Sequence, residues 1–88
     1  MGIKVGAQNN YAMAYKKLSD QEGVDLIIKI LKEAQRPLST REIQQETHKR
    51  LVRCPDSTIV YLNRLRLKGV IHGERRKEMR GWVWWVDD

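Results

Sequence analysis

The chain has a single cysteine, Cys54, which excludes an internal disulfide framework. No apolar run approaches the roughly 18 residues that span a bilayer. The opening Met1-Gly2-Ile3-Lys4-Val5-Gly6 lacks the long apolar core of a signal peptide. These three absences set the expectation of a cytoplasmic protein, nucleoid-associated if prokaryotic, with no membrane partner. A Gly-rich phosphate cradle is also missing. The two histidines, His48 and His72, lie far apart in sequence, and neither stands in a metal-binding spacing. A Cys54–His48 pair would sit in an exposed connection with no third group. The expectation is therefore no catalysis, no metal, no cofactor and no small-molecule substrate.

What is present points to one small folded domain. There are 88 residues, 41% hydrophobic and 32% charged, which suits a modest core and argues against disorder. Net charge is +6, and its placement matters more than its size. Residues 36–80 hold 12 Lys/Arg against 5 Asp/Glu, and the remainder holds 5 against 6. A basic excess confined to one stretch fits either a polyanion partner or a solvated basic face.

Residues 1–10 contain Gly and Asn and no periodicity, and read as a tail. Tyr11 to Leu18 is more apolar. It fits a short strand or helix docking on the domain, or a self-association segment, so residues 1–18 are set apart from a domain over 19–88. Ser19-Asp20-Gln21-Glu22 is an S-x-x-E capping box that predicts a helix from about Asp20. Val24, Ile27, Ile28 and Leu31 follow helical spacing, widened by Leu26, Ile30 and Ala34. Pro37 predicts a stop by about Ala34. Ser39-Thr40-Arg41-Glu42 is a second box, predicting a helix to His48 or Lys49 with Ile43 and Thr47 inward beside Leu38 and Leu51.

The stretch from Pro55 to Ile71 organises the remainder. Pro55 suits a first helical turn and Gly69 the left-handed residue past the last. Ile59, Leu62 and Leu65 predict the core stripe, with Thr58 nearer to it. Ser57, Val60, Tyr61, Arg64 and Lys68 fall on the other face. Val70-Ile71 predicts the start of a strand, Gly73 to Gly81 a charged hairpin tip, and Trp82 to Val86 the returning strand. Trp82 and Trp84 share one strand face and Trp85 takes the other. At least one tryptophan is expected on the first helix.

That order resembles the winged helix-turn-helix family over roughly residues 19–87. The residues carrying it are Ser39-Thr40-Arg41-Glu42-Ile43, Ser57-Thr58-Ile59, Leu62-x-x-Leu65-x-x-x-Gly69-Val70-Ile71, and the basic hairpin ending in Gly81-Trp82-Val83-Trp84. The connection from Lys49 to Cys54 is longer than the tight turn of the simplest members. The resemblance implies an α+β fold, with three helices followed by a two-stranded β-hairpin wing, as in small transcription regulators of bacteria and archaea. It implies double-stranded DNA as partner, the third helix (about 55–68) in the major groove and the wing (about 73–81) on backbone or minor groove. The alternative it leaves open is a protein–protein module in a transcription or other complex.

Candidate DNA contacts follow from that placement. Tyr61 and Arg64 are the expected reading residues, because Arg bridges guanine O6 and N7. Ser57 is a donor to phosphate or base, or else only an aid to the first turn. Asn63 is a lateral adenine reader, and Lys68 lies near the helix end. Lys49, Arg50 and Arg53 in the connection would hold phosphates, as would Arg75, Arg76, Lys77 and Arg80 on the wing. A homodimer is expected, through Tyr11–Tyr15 and Leu18 or through whichever tryptophan is not buried. Cys54, with no resolving cysteine, reads as passive rather than as a redox switch.

Overall fold

The computed structural model describes residues 15–87, so Tyr11 to Ala14 and the tail before them lie outside the described residues. The expectations placed on those residues are not addressed by it. The elements are β1 (Lys16–Lys17), α1 (Asp20–Ala34), β2 (Leu38–Ser39), α2 (Thr40–Lys49), β3 (Val52–Arg53), α3 (Thr58–Leu67), β4 (His72–Arg76) and β5 (Gly81–Trp85). They make a small α+β domain with three helices and a three-stranded antiparallel sheet of order β2-β5-β4. A second, two-residue parallel pairing joins β1 to β3, with Lys16 opposite Val52.

Both capping boxes form. Ser19 Oγ accepts from the Glu22 N–H at 3.2 Å, and the Glu22 carboxylate accepts from the Ser19 N–H at 3.0 Å. Ser39 and Glu42 repeat the exchange at 3.0 and 2.9 Å. Each pair satisfies two N–H groups that a helix start leaves open. The Ser19 backbone N–H, above all, holds the Glu22 carboxyl below its ordinary range. α1 ends at Ala34 with Gln35 left-handed at φ 55°, two residues before Pro37.

The buried face of α1 is Gly23, Ile27, Ile30 and Leu31, with Val24, Leu26 and Ala34 packed at its margin. Ile28, expected in the stripe, is only half-buried at the side. The stripe begins on a glycine, over which an aromatic ring lies. A Cβ on Gly23 would meet Tyr61 Oη at 2.5 Å.

Tyr61 is the main correction to the sequence expectation. It is 1% exposed, and its hydroxyl donates to the Asp20 carbonyl at 2.7 Å. A buried phenol with a satisfied O–H contributes its full apolar area to the core. The inward face of α3 is therefore Tyr61, Leu62 and Leu65, with Thr58 half-buried beside them. Ile59, expected inward, turns partly to solvent at 38% exposure. α3 also begins later than expected, at Thr58, leaving Pro55 in the preceding bend. Its end follows expectation: Gly69 has φ 79°, its N–H donates to the Arg66 carbonyl, and the Val70 N–H reaches the Leu65 carbonyl at 2.9 Å. That pair of bonds is a Schellman ending.

Leu51 is also corrected. It takes the left-handed position after α2 (φ 57°) and is 54% exposed, not inward. Ile43, Thr47 and Leu38 are buried as expected.

The strand after Gly69 starts at His72, not Val70, and runs through Gly73 to Arg76. Gly73 was expected at a turn. It lies in the strand because the Trp84 ring covers it; a Cβ there would be 2.5 Å from Trp84 Cε3. The tip is thus confined to a 3-10 turn at Lys77–Met79 and left-handed Arg80, φ 52°. In register, Gly73 faces Trp84, Arg75 faces Trp82 and His72 faces Trp85. Trp84 is fully buried in the core, Trp82 is stacked on it, and Trp85 lies on the opposite face against His72.

Two predictions follow from the Tyr61–Gly23 contact. Gly23→Ala gains up to about 1 kcal/mol of helix propensity. It also forces a close-packed phenol aside, at about 1–3 kcal/mol, and loosens a hydrogen bond worth about 1 kcal/mol. Urea unfolding should show a net loss on the order of 1–2 kcal/mol, and a gain would contradict the contact. Burial, reinforced by the charge of Asp20, pushes the Tyr61 hydroxyl up to about 12. The unfolded phenol ionises near 10. The stability this proton carries is complete below about pH 10 and is lost as pH rises towards 12, on the order of 2–3 kcal/mol in all. Phenolate absorbance should show one late step near pH 12 that Tyr61→Phe removes. The parent should lose more stability than Tyr61→Phe across that window.

Candidate nucleic-acid interface

Packing Tyr61, Leu62 and Leu65 inward decides what α3 presents outward. The outward residues are Ile59, Val60, Asn63 and Leu67, of which Val60 is 48% and Leu67 76% exposed. Neither Asp nor Glu occurs between Thr58 and Leu67. The helix is capped by Ser57 without a side-chain bond, so the capping alternative for that hydroxyl is not realised and it stands exposed. Asn63 is half-buried and occupied. Its oxygen accepts from Arg66 Nε at 3.1 Å and its nitrogen donates to the Ile59 carbonyl at 3.4 Å.

The expected cations divide into held and free. Arg64 is held: its guanidinium donates to Asp56 at 2.9 Å, lies 3.7 Å from Asp20 and sits over the Tyr61 ring at 6.0 Å from its centroid. Lys49 is paired with Glu46 at 3.0 Å. Arg50 is shared between Glu46 at 2.9 Å and Glu33 at 3.5 Å. Arg76 is paired with Glu74 at 3.0 Å. Exposed pairs of this kind contribute at most about 1 kcal/mol each, yet they lower the charge offered to a partner. Arg53, Lys68, Arg75, Lys77 and Arg80 are exposed and form no ion pair among the described residues.

Two cations that sequence reasoning left off the site are placed by the structure. Arg41, exposed in the first turn of α2, lines a shallow cleft with Thr40, Met79, Arg80 and Trp82. The cleft brings the start of α2 against the hairpin tip. A cation in a first helical turn opposes the helix dipole, and that local disagreement was a legible signal. The Arg66 guanidinium lies over the Trp82 ring at 4.9 Å, and Trp82 in turn stacks on Trp84 at 5.3 Å and 16°. A half-buried cation–π contact of this kind contributes about 1 kcal/mol. It ties α3 to the hairpin.

Three other features complete the surface. Trp85 lines a groove with Leu31, Pro37, Arg36, Arg76 and Val86. Among the described residues no three His, Cys, Asp or Glu side chains gather in a metal-holding group, and no helix is long and apolar enough to cross a membrane. No family model, no curated protein and no solved structure matches the chain.

Cys54 lies just before α3, 4% exposed. Burial pushes its thiol up, against a smaller opposing pull from the Thr58 hydroxyl. A raised value means less thiolate at any given pH, so nucleophilic and oxidative chemistry slow together. Iodoacetamide labelling of the folded chain at neutral pH should be at least about tenfold slower than in urea, and should rise only at alkaline pH. Equal rates in the two states would contradict a buried, inert thiol.

Proposed function

We propose that the chain is a winged helix-turn-helix protein that binds double-stranded DNA as a transcription regulator. In this reading α3 enters the major groove while the β4–β5 hairpin and the start of α2 hold the backbone. The observation that carries it is the convergence of Arg41 and Arg80 on one cleft beside Trp82, with Arg75 facing Trp82 across the hairpin and Lys77 at its tip. These four cations form no ion pair among the described residues and together offer a site for a polyanion, and a sugar-phosphate backbone is a regular array of such charge. The order of helices and strands, and the antiparallel sequence β2-β5-β4, support the same family.

The apolar outward face of α3 favours a second reading, a protein–protein adaptor, since exposed aliphatic groups are common at protein interfaces. Salt separates the two. With about four phosphates neutralised, log K should fall against log salt with a slope near −3.6. A fourfold rise in salt should then weaken binding on the order of a hundredfold. Arg41→Gln and Lys77→Gln should each weaken binding to all duplexes alike and flatten the slope by about one unit. Titration of a labelled mixed-sequence duplex at several salt concentrations measures both. Absence of duplex binding at low salt would refute DNA binding and favour the adaptor.

A further inference from the structure

Resting on the duplex-DNA reading above, we infer that α3 reads methyl groups in the major groove. Its specificity residues are Ile59 and Val60, with Leu67 two turns further on, and its preferred contacts are the C5-methyls of thymine.

The inference comes from what the outward face can and cannot do. Hydrogen-bond reading needs a free bidentate side chain, typically Arg to guanine or Asn to adenine. On α3 all three side chains capable of it are engaged. Arg64 is held by Asp56, Arg66 lies on Trp82, and Asn63 is bonded to Arg66 and to the Ile59 carbonyl. What α3 offers freely is aliphatic: Ile59 at 38%, Val60 at 48% and Leu67 at 76% exposure. Val60 and Leu67, at i and i+7, lie two turns apart on one face of the helix with the occupied Asn63 between them and Ile59 beside Val60.

A single exposed aliphatic side chain needs no partner. Exposed aliphatic groups on a helix without acidic residues, whose Arg66 packs on Trp82 of the cleft that carries Arg41 and Arg80, have a specific complement. The major groove is flanked by phosphates, which suit the cations. The apolar groups that natural bases present there are the thymine methyls, and methylated cytosine presents the same group at the same ring position. Apolar contact selects these bases without any hydrogen bond being remade, so Arg64, Arg66 and Asn63 keep their structural partners on binding. Charge thus fixes the backbone contacts and the aliphatic groups fix the preference, a division expected when phosphate contacts position and base contacts specify.

The test compares a short duplex of alternating A·T steps with the same duplex carrying deoxyuridine for every thymidine, at one fixed salt concentration. The replacement removes the C5-methyls and leaves base pairing and the phosphates in place. The parent should bind the thymine duplex more tightly, by about fourfold for each methyl covered. A G·C duplex should gain affinity in the same way when its cytosines are replaced by 5-methylcytosine. Val60→Ser and, separately, Ile59→Ser lie on the exposed face and should shrink both ratios towards one while keeping the salt slope; circular dichroism checks that each is folded. Equal binding of thymine and uracil duplexes by the parent, with a steep salt slope, would overturn methyl reading and leave the DNA-binding proposal standing. Failure of every duplex to bind at low salt would overturn both and assign the aliphatic groups to a protein partner.

Discussion

The fold depends on one side chain, Trp84, near the end of the central strand. Its neighbours across the sheet are Leu38 on β2 and Gly73 on β4, and it is fully buried. Its indole N–H donates to Thr40 Oγ1 at 2.9 Å, so the residue that fills the core also fixes the first turn of α2. Burying a tryptophan removes roughly 150–250 Å² from water, about 4–6 kcal/mol at 25 cal/mol per Å². A domain of this size has a total stability of about 5–15 kcal/mol. A single ring therefore supplies a term comparable to the whole margin, and its position dictates others. Gly73 must lack a side chain, Thr40 must carry a hydroxyl, and β2 must pair where it does.

Local signals in the chain specify local structure well. Two S-x-x-E boxes, one proline and one glycine place the ends of α1, the start of α2 and the end of α3, because each acts through backbone hydrogen bonds within a few residues. The errors arise where a distant partner decides. Gly73 reads from sequence as part of a hairpin tip, and Gly23 carries no local signal of its role. Both are clearances for aromatic rings, Tyr61 and Trp84, that lie far away in sequence. Tyr61 looks like a surface residue because Ile59 offers a more apolar stripe. The phenol wins the core because Asp20 supplies an acceptor and Gly23 supplies room. The two-residue strands β1, β2 and β3 carry no pattern long enough to detect.

The candidate site was legible at the level of charge and not of individual residues. The basic excess in 36–80 is real, yet Lys49, Arg50, Arg64 and Arg76 each meet a carboxylate. Some of those pairs are visible as i,i+3 or i,i+4 spacing, as in Glu46 with Lys49 and Arg50. Arg64 with Asp56 spans the bend before α3 and needs the fold. Arg41 was hidden for the opposite reason. Its sequence neighbours belong to a capping box, and its site neighbours Met79 and Arg80 enter only once β5 pairs with β2.

The stack of Arg66 on Trp82 on Trp84 connects these two levels. Arg66 could have been a free cation on α3, where it would have strengthened attraction to any polyanion. Held over the indole, it instead links the helix to the sheet, and through Asn63 it also occupies a group that would otherwise hydrogen-bond to a partner. The consequence is mechanical as well as chemical. α3 and the hairpin are braced by packed aromatic rings rather than by exposed ion pairs, which salt would screen. The spacing between the outward face of α3 and the cations at the hairpin tip is then set by the core itself. A surface that must span two features of a rigid partner benefits from that arrangement, because little conformational freedom is left to be lost when it binds.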